Sequence, residues 1–200
     1  MTEYEEIIES AVPLLVNTFF EKRVEQLFDL AQILEKAFSA AGIEYRIVGG
    51  FAVYLYVEDA DPDAGRLTRD IDVAVRRDDL ERVAKAVEPF GLEHRLVAGV
   101  NMLVQSEAPS ARRAVHLVFF GEKLLPAYPE QVPALGGFER LRPFRLIPLS
   151  DLVRMKLTSF RAKDEAHLKE MDEAGLIRSD IESTLSPLLR ERLAQTRARQ

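Results

Sequence analysis

The sequence predicts an α+β protein, a small mixed β-sheet flanked by helices, with helical segments before and after it. Three observations carry this. An apolar stripe at helical spacing runs through the second of two N-terminal helical stretches, in Val24, Leu27, Phe28, Ala31, Leu34 and Phe38. Short strand-like runs alternate with helical ones between residues 43 and 148. From residue 149 onward the pattern is helical again. The expected organisation is N-terminal helices over 1–42, a core over 43–148 and a C-terminal helical part over 149–200.

The elements follow in order. Helical patterning runs through two N-terminal stretches and stops at Gly42. "IEYRIV" reads as a strand that meets Gly49 and Gly50, then a helix to about Val57. "EDADPDAGRLT" has loop composition. "RDIDVAVR" alternates in period two, with Ile71, Val73 and Val75 on one face and Asp70, Asp72 and Ala74 on the other. A helix follows, with Asp78 or Asp79 near its N-cap and Pro89 and Gly91 at its end. Residues 92–106 form two strands across a turn at Ala98-Gly99, and "RAVHLVFF" is a buried strand. The Pro- and Gly-rich stretch 121–144 is mostly loop, and "FRLIPL" is a short strand. One helical run is expected over 150–175, opened by Ser150, and a last one is divided at Pro187.

The 200 residues suit one domain with a sizeable core. A net charge of −6 argues against a generally basic nucleic-acid-coating protein. The chain has no cysteine, so disulfides, thiolate metal sites and cysteine nucleophiles are excluded. Three histidines, His94, His116 and His167, are too few for a His-rich metal cage. The acidic N-terminus does not read as a signal peptide, and no apolar run is long enough for a membrane span, so the expected compartment is the cytoplasm.

The chemistry concentrates at two places. Asp70 and Asp72, at i and i+2 of a strand, put two carboxylates on one face. Hard oxygen donors of this kind suit Mg²⁺ or Mn²⁺. A solvated strand side paired with Arg69 and Arg76 is the plainer alternative. Gly49 and Gly50 lie at a strand-to-helix turn, where backbone N–H groups and the helix dipole favour a phosphate. A tight turn without a ligand is the alternative there. Tyr54 and Tyr56 suit packing of the glycine-led helix better than stacking on a base.

"IVGGFAVYLY" followed by "RLTRDIDVAV" resembles the nucleotidyltransferase superfamily with the DNA polymerase β-like fold. Arg66, Thr68, Asp70, Ile71 and Asp72 fill the R-x-T-x-D-hydrophobic-D pattern of its minimal subgroup. "LSDLVRMKLTSFRAKDEAHL" resembles the Lys helix and R-x-K-D segment of the toxin-type members related to abortive-infection systems, through Lys156, Arg161, Lys163 and Asp164. The resemblance spans about residues 43–170. It implies transfer of a nucleoside monophosphate from a nucleoside triphosphate to a hydroxyl of an RNA end, a protein or a small molecule. It also implies that Gly49, Gly50, Arg66, Thr68, Lys156 and Lys163 hold the nucleotide, that Asp70 and Asp72 hold Mg²⁺, and that an antitoxin-like protein is a candidate partner. Asp164 would orient a neighbour or the acceptor, with an intrahelical ion pair as its alternative. On a single helix, residues 156, 160, 163 and 167 share one stripe, so Lys156 and Lys163 are expected to face the same way.

One position departs from the pattern. The family's third carboxylate is expected on the strand "RAVHLVFF", where this chain has His116. Imidazole is a competent base but a poor Mg²⁺ ligand. His116 therefore serves as the base, or the site runs on one metal, or the fold persists as a nucleotide- or partner-binding module. Glu122 is the alternative acid if its loop folds back.

Overall fold

The computed structural model describes residues 24–62, 64, 68, 70–107 and 114–199. The stretch before residue 24, and Arg66, lie outside the described residues.

Helix α1 covers residues 24–40 and turns Leu27, Ala31, Leu34 and Phe38 into the core, as its stripe requires. Gly42 adopts a left-handed φ of 61° just beyond it. Strand β1 (Tyr45–Val48) then enters the sheet fully buried. Helix α2 (Gly49–Ala60) buries every residue from Gly50 to Val57, because the sheet, α4 and α5 all pack on it. Strand β2 (Ile71–Val75) runs antiparallel to β1. Helix α3 (Leu80–Val87) is flanked by one 3₁₀ turn on each side and stops at Gly91. Strands β3 (Leu92–Val97) and β4 (Val100–Gln105) form the expected hairpin. Strand β5 (Val115–Phe119) pairs parallel with β2 and antiparallel with β4.

Residues 121–138 are irregular, as expected, but a short strand β6 (Glu139–Leu141) follows inside the stretch read as loop. It pairs with β7 (Phe144–Leu146) across a turn at Arg142-Pro143, and three residues are too few to show a period in the sequence. The described strands form one mixed sheet in the order β3-β4-β5-β2-β1-β7-β6. Strand β7 lies parallel to β1.

The helical run expected over 150–175 is two helices. Helix α4 (Leu149–Ser159) starts after Pro148 rather than at Ser150. It ends at Phe160, whose φ of 46° is left-handed and whose amide donates to the Lys156 carbonyl at 2.9 Å. Helix α5 (Ala162–Glu173) starts anew from an extended Arg161. No glycine or proline marks this break, so the sequence pattern runs straight through it. The stripe expected of residues 156, 160, 163 and 167 therefore does not exist as one helix face. Helices α6 (Ser179–Thr184) and α7 (Pro187–Ala198) are divided as expected, with Pro187 at the first turn of α7. Leu168 and Met171 of α5 and Leu189 and Leu193 of α7 share one apolar cluster with α1, α2 and the sheet. No described helix is long and apolar enough to cross a membrane.

Candidate active site

The site lies where β1 ends, α2 begins and β2 starts. The antiparallel register sets Val48 opposite Asp72, so Gly49 comes next to the Asp72 side chain. Gly49 has a left-handed φ of 70°. A Cβ at Gly49 would overlap Asp72 Oδ2 and lie 2.6 Å from Asp72 Cγ. A Cβ at Gly50 would lie 2.5 Å from Thr68 Oγ1 and 3.4 Å from His167 Cε1. Both glycines are thus required by this chain's own side chains. The turn has no Cβ because a carboxylate, a hydroxyl and an imidazole occupy that space.

Replacing Gly49 with Ala combines the left-handed φ with overlap against Asp72. We expect a destabilisation of roughly 1–3 kcal/mol. A thermal melt checks this. An unchanged midpoint would show that Asp72 moves away freely.

His116 occupies the register position beside Asp72, since β2 and β5 pair Asp72 with His116. Its Nδ1 donates to Asp72 Oδ1 at 3.2 Å. The carboxylate acceptor fixes the tautomer with Nδ1 protonated, and leaves Nε2 to receive a proton. The hydrogen bond to Asp72 raises His116 above the ordinary imidazole value, against the opposing effect of burial. Asp70 and Lys163 both act on His116 electrostatically, which brings the second carboxylate and the α5 lysine to the same place. Glu122 is elsewhere. It forms a two-pronged hydrogen bond with Arg77, past the C-terminal end of β2, whereas Asp70 and Asp72 lie at the N-terminal end. Its loop does not fold back toward the aspartates.

The α4–α5 junction supplies the rest. Lys156 is buried, and its ammonium donates to Asp164 Oδ1 at 3.3 Å. Asp164 is fully buried and also accepts from Ser159 Oγ at 2.8 Å and from Arg161 Nε at 2.8 Å. The Arg161 amide, too, points at its Oδ2, which caps α5. Burial alone would raise Asp164, but the Arg161 hydrogen bond, Lys156 and Ser159 outweigh it and hold the carboxyl at about 2. Lys156 is lowered by burial, against the attraction of Asp164 and Asp72. Lys163 is exposed one turn earlier than His167. The two lysines, on different helices, both act electrostatically on His167, a convergence made by the turn at Phe160 rather than by helical periodicity.

His167 is the site residue that sequence reasoning left without a role. It is 7% exposed and faces the glycine turn, and its Nδ1 is buried with no hydrogen-bond partner. Burial first, then Lys156 and Lys163, lower it to about 4. The available signal was its place four residues after Lys163 and three after Asp164. Tyr54 and Tyr56 are core, as expected: Tyr54 packs beside Phe51, and the Tyr56 hydroxyl donates to the Ile147 carbonyl at 2.8 Å.

Among the described residues no cluster of three or more histidine and carboxylate side chains forms a metal cage. Asp70 and Asp72 fit a cation that takes its remaining oxygens from a phosphate and water, which is how Mg²⁺ is commonly held.

No protein-family model matches the chain, and no curated protein matches it. Solved structures do match. An antigenic nucleotidyltransferase-like protein from Paracoccidioides brasiliensis aligns with a TM-score of 0.57 at 16% identity, over 88% of this chain and 89% of that one. The fold is that of the nucleotidyltransferases. ANT(2'')-Ia in complex with adenylyl-2''-tobramycin aligns with a TM-score of 0.50 at 14% identity, over 86% of this chain and 97% of that one. The Megavirus polyadenylate synthase gives a TM-score of 0.53 at 8% identity, over 89% of this chain and 39% of the synthase. A nucleotidyltransferase fold accounts for the mixed sheet and for the meeting of β1, α2 and β2 at one point.

Proposed function

We propose that this chain is a nucleotidyltransferase enzyme that moves a nucleoside monophosphate from a nucleoside triphosphate to a hydroxyl acceptor. The observation that carries the reading is the seating of Asp72 against Gly49, which joins a helix N-terminus to the Asp70/Asp72 pair. A helix N-terminus attracts the phosphates, and the carboxylates suit the cation that accompanies them. Asp70 and Asp72 would hold Mg²⁺ or Mn²⁺, which supplies charge neutralisation on the phosphates.

The remaining roles belong to the chain itself. Lys163, exposed at the rim, adds positive charge beside the turn, and Thr68 lines it. Lys156 contributes its field from behind, since its ammonium is engaged by Asp164. Asp164 ties α4 to α5 rather than touching the acceptor. His116 is oriented by Asp72 so that Nε2 receives the proton of the attacking hydroxyl. In-line attack on the α-phosphate needs mainly positioning and neutralised charge. One neighbour of the fold is in complex with adenylyl-2''-tobramycin and another is a polyadenylate synthase, so small-molecule and RNA hydroxyls are both candidate acceptors here.

His116 in place of the third carboxylate favours a second reading, a nucleotide-binding module without turnover and open to a protein partner such as an antitoxin. One experiment separates the two. ATP, GTP, CTP and UTP are titrated with and without Mg²⁺ or Mn²⁺ by thermal shift, and pyrophosphate release is measured with RNA, aminoglycoside and protein acceptors. We expect metal-dependent binding of at least one nucleotide and acceptor-dependent release. Binding without release from any acceptor favours the module, and no binding at all refutes both readings.

A further inference from the structure

We infer that His167 is a positioning residue of the nucleotide site, whose buried Nδ1 supplies a hydrogen-bonding edge behind the Gly49-Gly50 turn. The inference rests on the nucleotide reading above and extends it to a residue outside the recognised pattern.

Four observations meet at this side chain. The imidazole is 93% buried, since its relative exposure is 7%, yet Nδ1 has no partner. An unsatisfied buried polar atom typically costs about 1–3 kcal/mol, whereas an apolar side chain of similar volume would cost nothing of that kind. Its ring edge fills the space a Gly50 side chain would need, 3.4 Å from the would-be Cβ, and shares that space with Thr68. The ring is also packed among charge, with Lys156, Lys163, Asp164 and Asp72 all acting on it. A ring that only filled volume would be better replaced by leucine at this position. A polar edge kept at such a cost, beside the backbone expected to meet phosphate, has a use when that backbone is loaded.

The surrounding cations define the use. Lys156 and Lys163 draw an anion to the turn, so the edge that completes it acts as a donor, with the proton on Nδ1. His167 reaches the ligand through the turn and Thr68, and so sets their position rather than reacting.

The test uses the full chain, with inorganic triphosphate and ATP as probes in isothermal titration. The variants are His167→Leu, which keeps volume and removes the edge, and His167→Asn, whose side-chain amide stands near the Nδ1 position. We expect H167L to melt at or above the wild-type temperature while binding both probes at least 10-fold more weakly. We expect H167N to recover most of the affinity. The ¹⁵N resonance of Nδ1 should shift when triphosphate is added to the wild type. Equal affinity of H167L and wild type overturns the inference and leaves the nucleotide reading standing. A lower melting temperature in H167L, with affinity lost in H167N too, also overturns it, because the ring is then structural. Failure of wild type and all variants to bind either probe overturns the nucleotide reading, and this inference with it.

Discussion

Replacing Asp70 and Asp72 together by asparagine should abolish nucleotide transfer, by about 10³-fold or more, while the protein still folds. The size follows from what the pair does. Asparagine keeps the shape but removes both negative charges, and a neutral amide is a weak ligand for a hard divalent cation. The fold should tolerate the change because Asp72 is partly open to solvent, at 30% side-chain exposure, and the Gly49 turn accepts an amide as well as a carboxylate. The double variant should melt within a few degrees of wild type. Its His116 loses the carboxylate partner, so the imidazole should titrate closer to its ordinary value, measurable by NMR. Transfer at the wild-type rate by a folded double variant would refute the assigned role.

The second large effect concerns stability. Asp164→Ala removes the counter-charge of Lys156, which is only 8% exposed at its side chain. It also strips partners from Ser159 and from the Arg161 amide that starts α5. Breaking a buried pair from one side typically costs about 3–5 kcal/mol. For a chain of this size that corresponds to roughly 10 °C in melting temperature. Replacing both residues, Lys156→Met with Asp164→Leu, should recover part of the loss, because no lone buried charge remains. A melt of D164A within about 2 °C of wild type would show that Lys156 simply loses its proton or finds another anion.

The same pair sets an acid dependence. Asp164 lies at about 2 in the folded protein, below its ordinary value of 3.8. Its contribution is therefore complete above pH 3.8 and disappears as pH falls toward 2, on the order of 2 kcal/mol in all. His167 acts in a higher window with the same sign. It lies at about 4 when folded against 6.5 when unfolded, so the unfolded chain takes up a proton first and stability falls as pH drops from 6.5 to 4. H167L should flatten that upper window, which pH-dependent urea unfolding measures directly.

Much of the fold was legible because it rests on local rules. The α1 stripe, the glycine-led α2, the alternating β2 and the Pro187 break each depend on neighbours within a few residues. What failed was non-local or unmarked. Strand β6 exists because β7 offers it a partner, and its three residues carry no period. The α4–α5 break comes at Phe160 in a left-handed conformation that no glycine signals, held by the hydrogen bond its amide donates to the Lys156 carbonyl and by the Asp164 cap that restarts the helix.

The site divides the same way. The sequence by itself determined that a glycine turn precedes two carboxylates on one strand face, because strand alternation fixes which side chains share a face; that order and spacing resemble those of the nucleotidyltransferases. Only the tertiary structure decided what those groups touch. The pairing of β1 with β2 seats Asp72 against Gly49, and the parallel pairing of β5 turns His116 onto the same carboxylate. The fold of α5 against α2 brings His167 behind Gly50, and buries Asp164 where it binds the chain itself. The contacts at Gly49, Asp72 and Gly50 join residues 23, 44 and 117 positions apart in sequence, and no periodicity reaches that far.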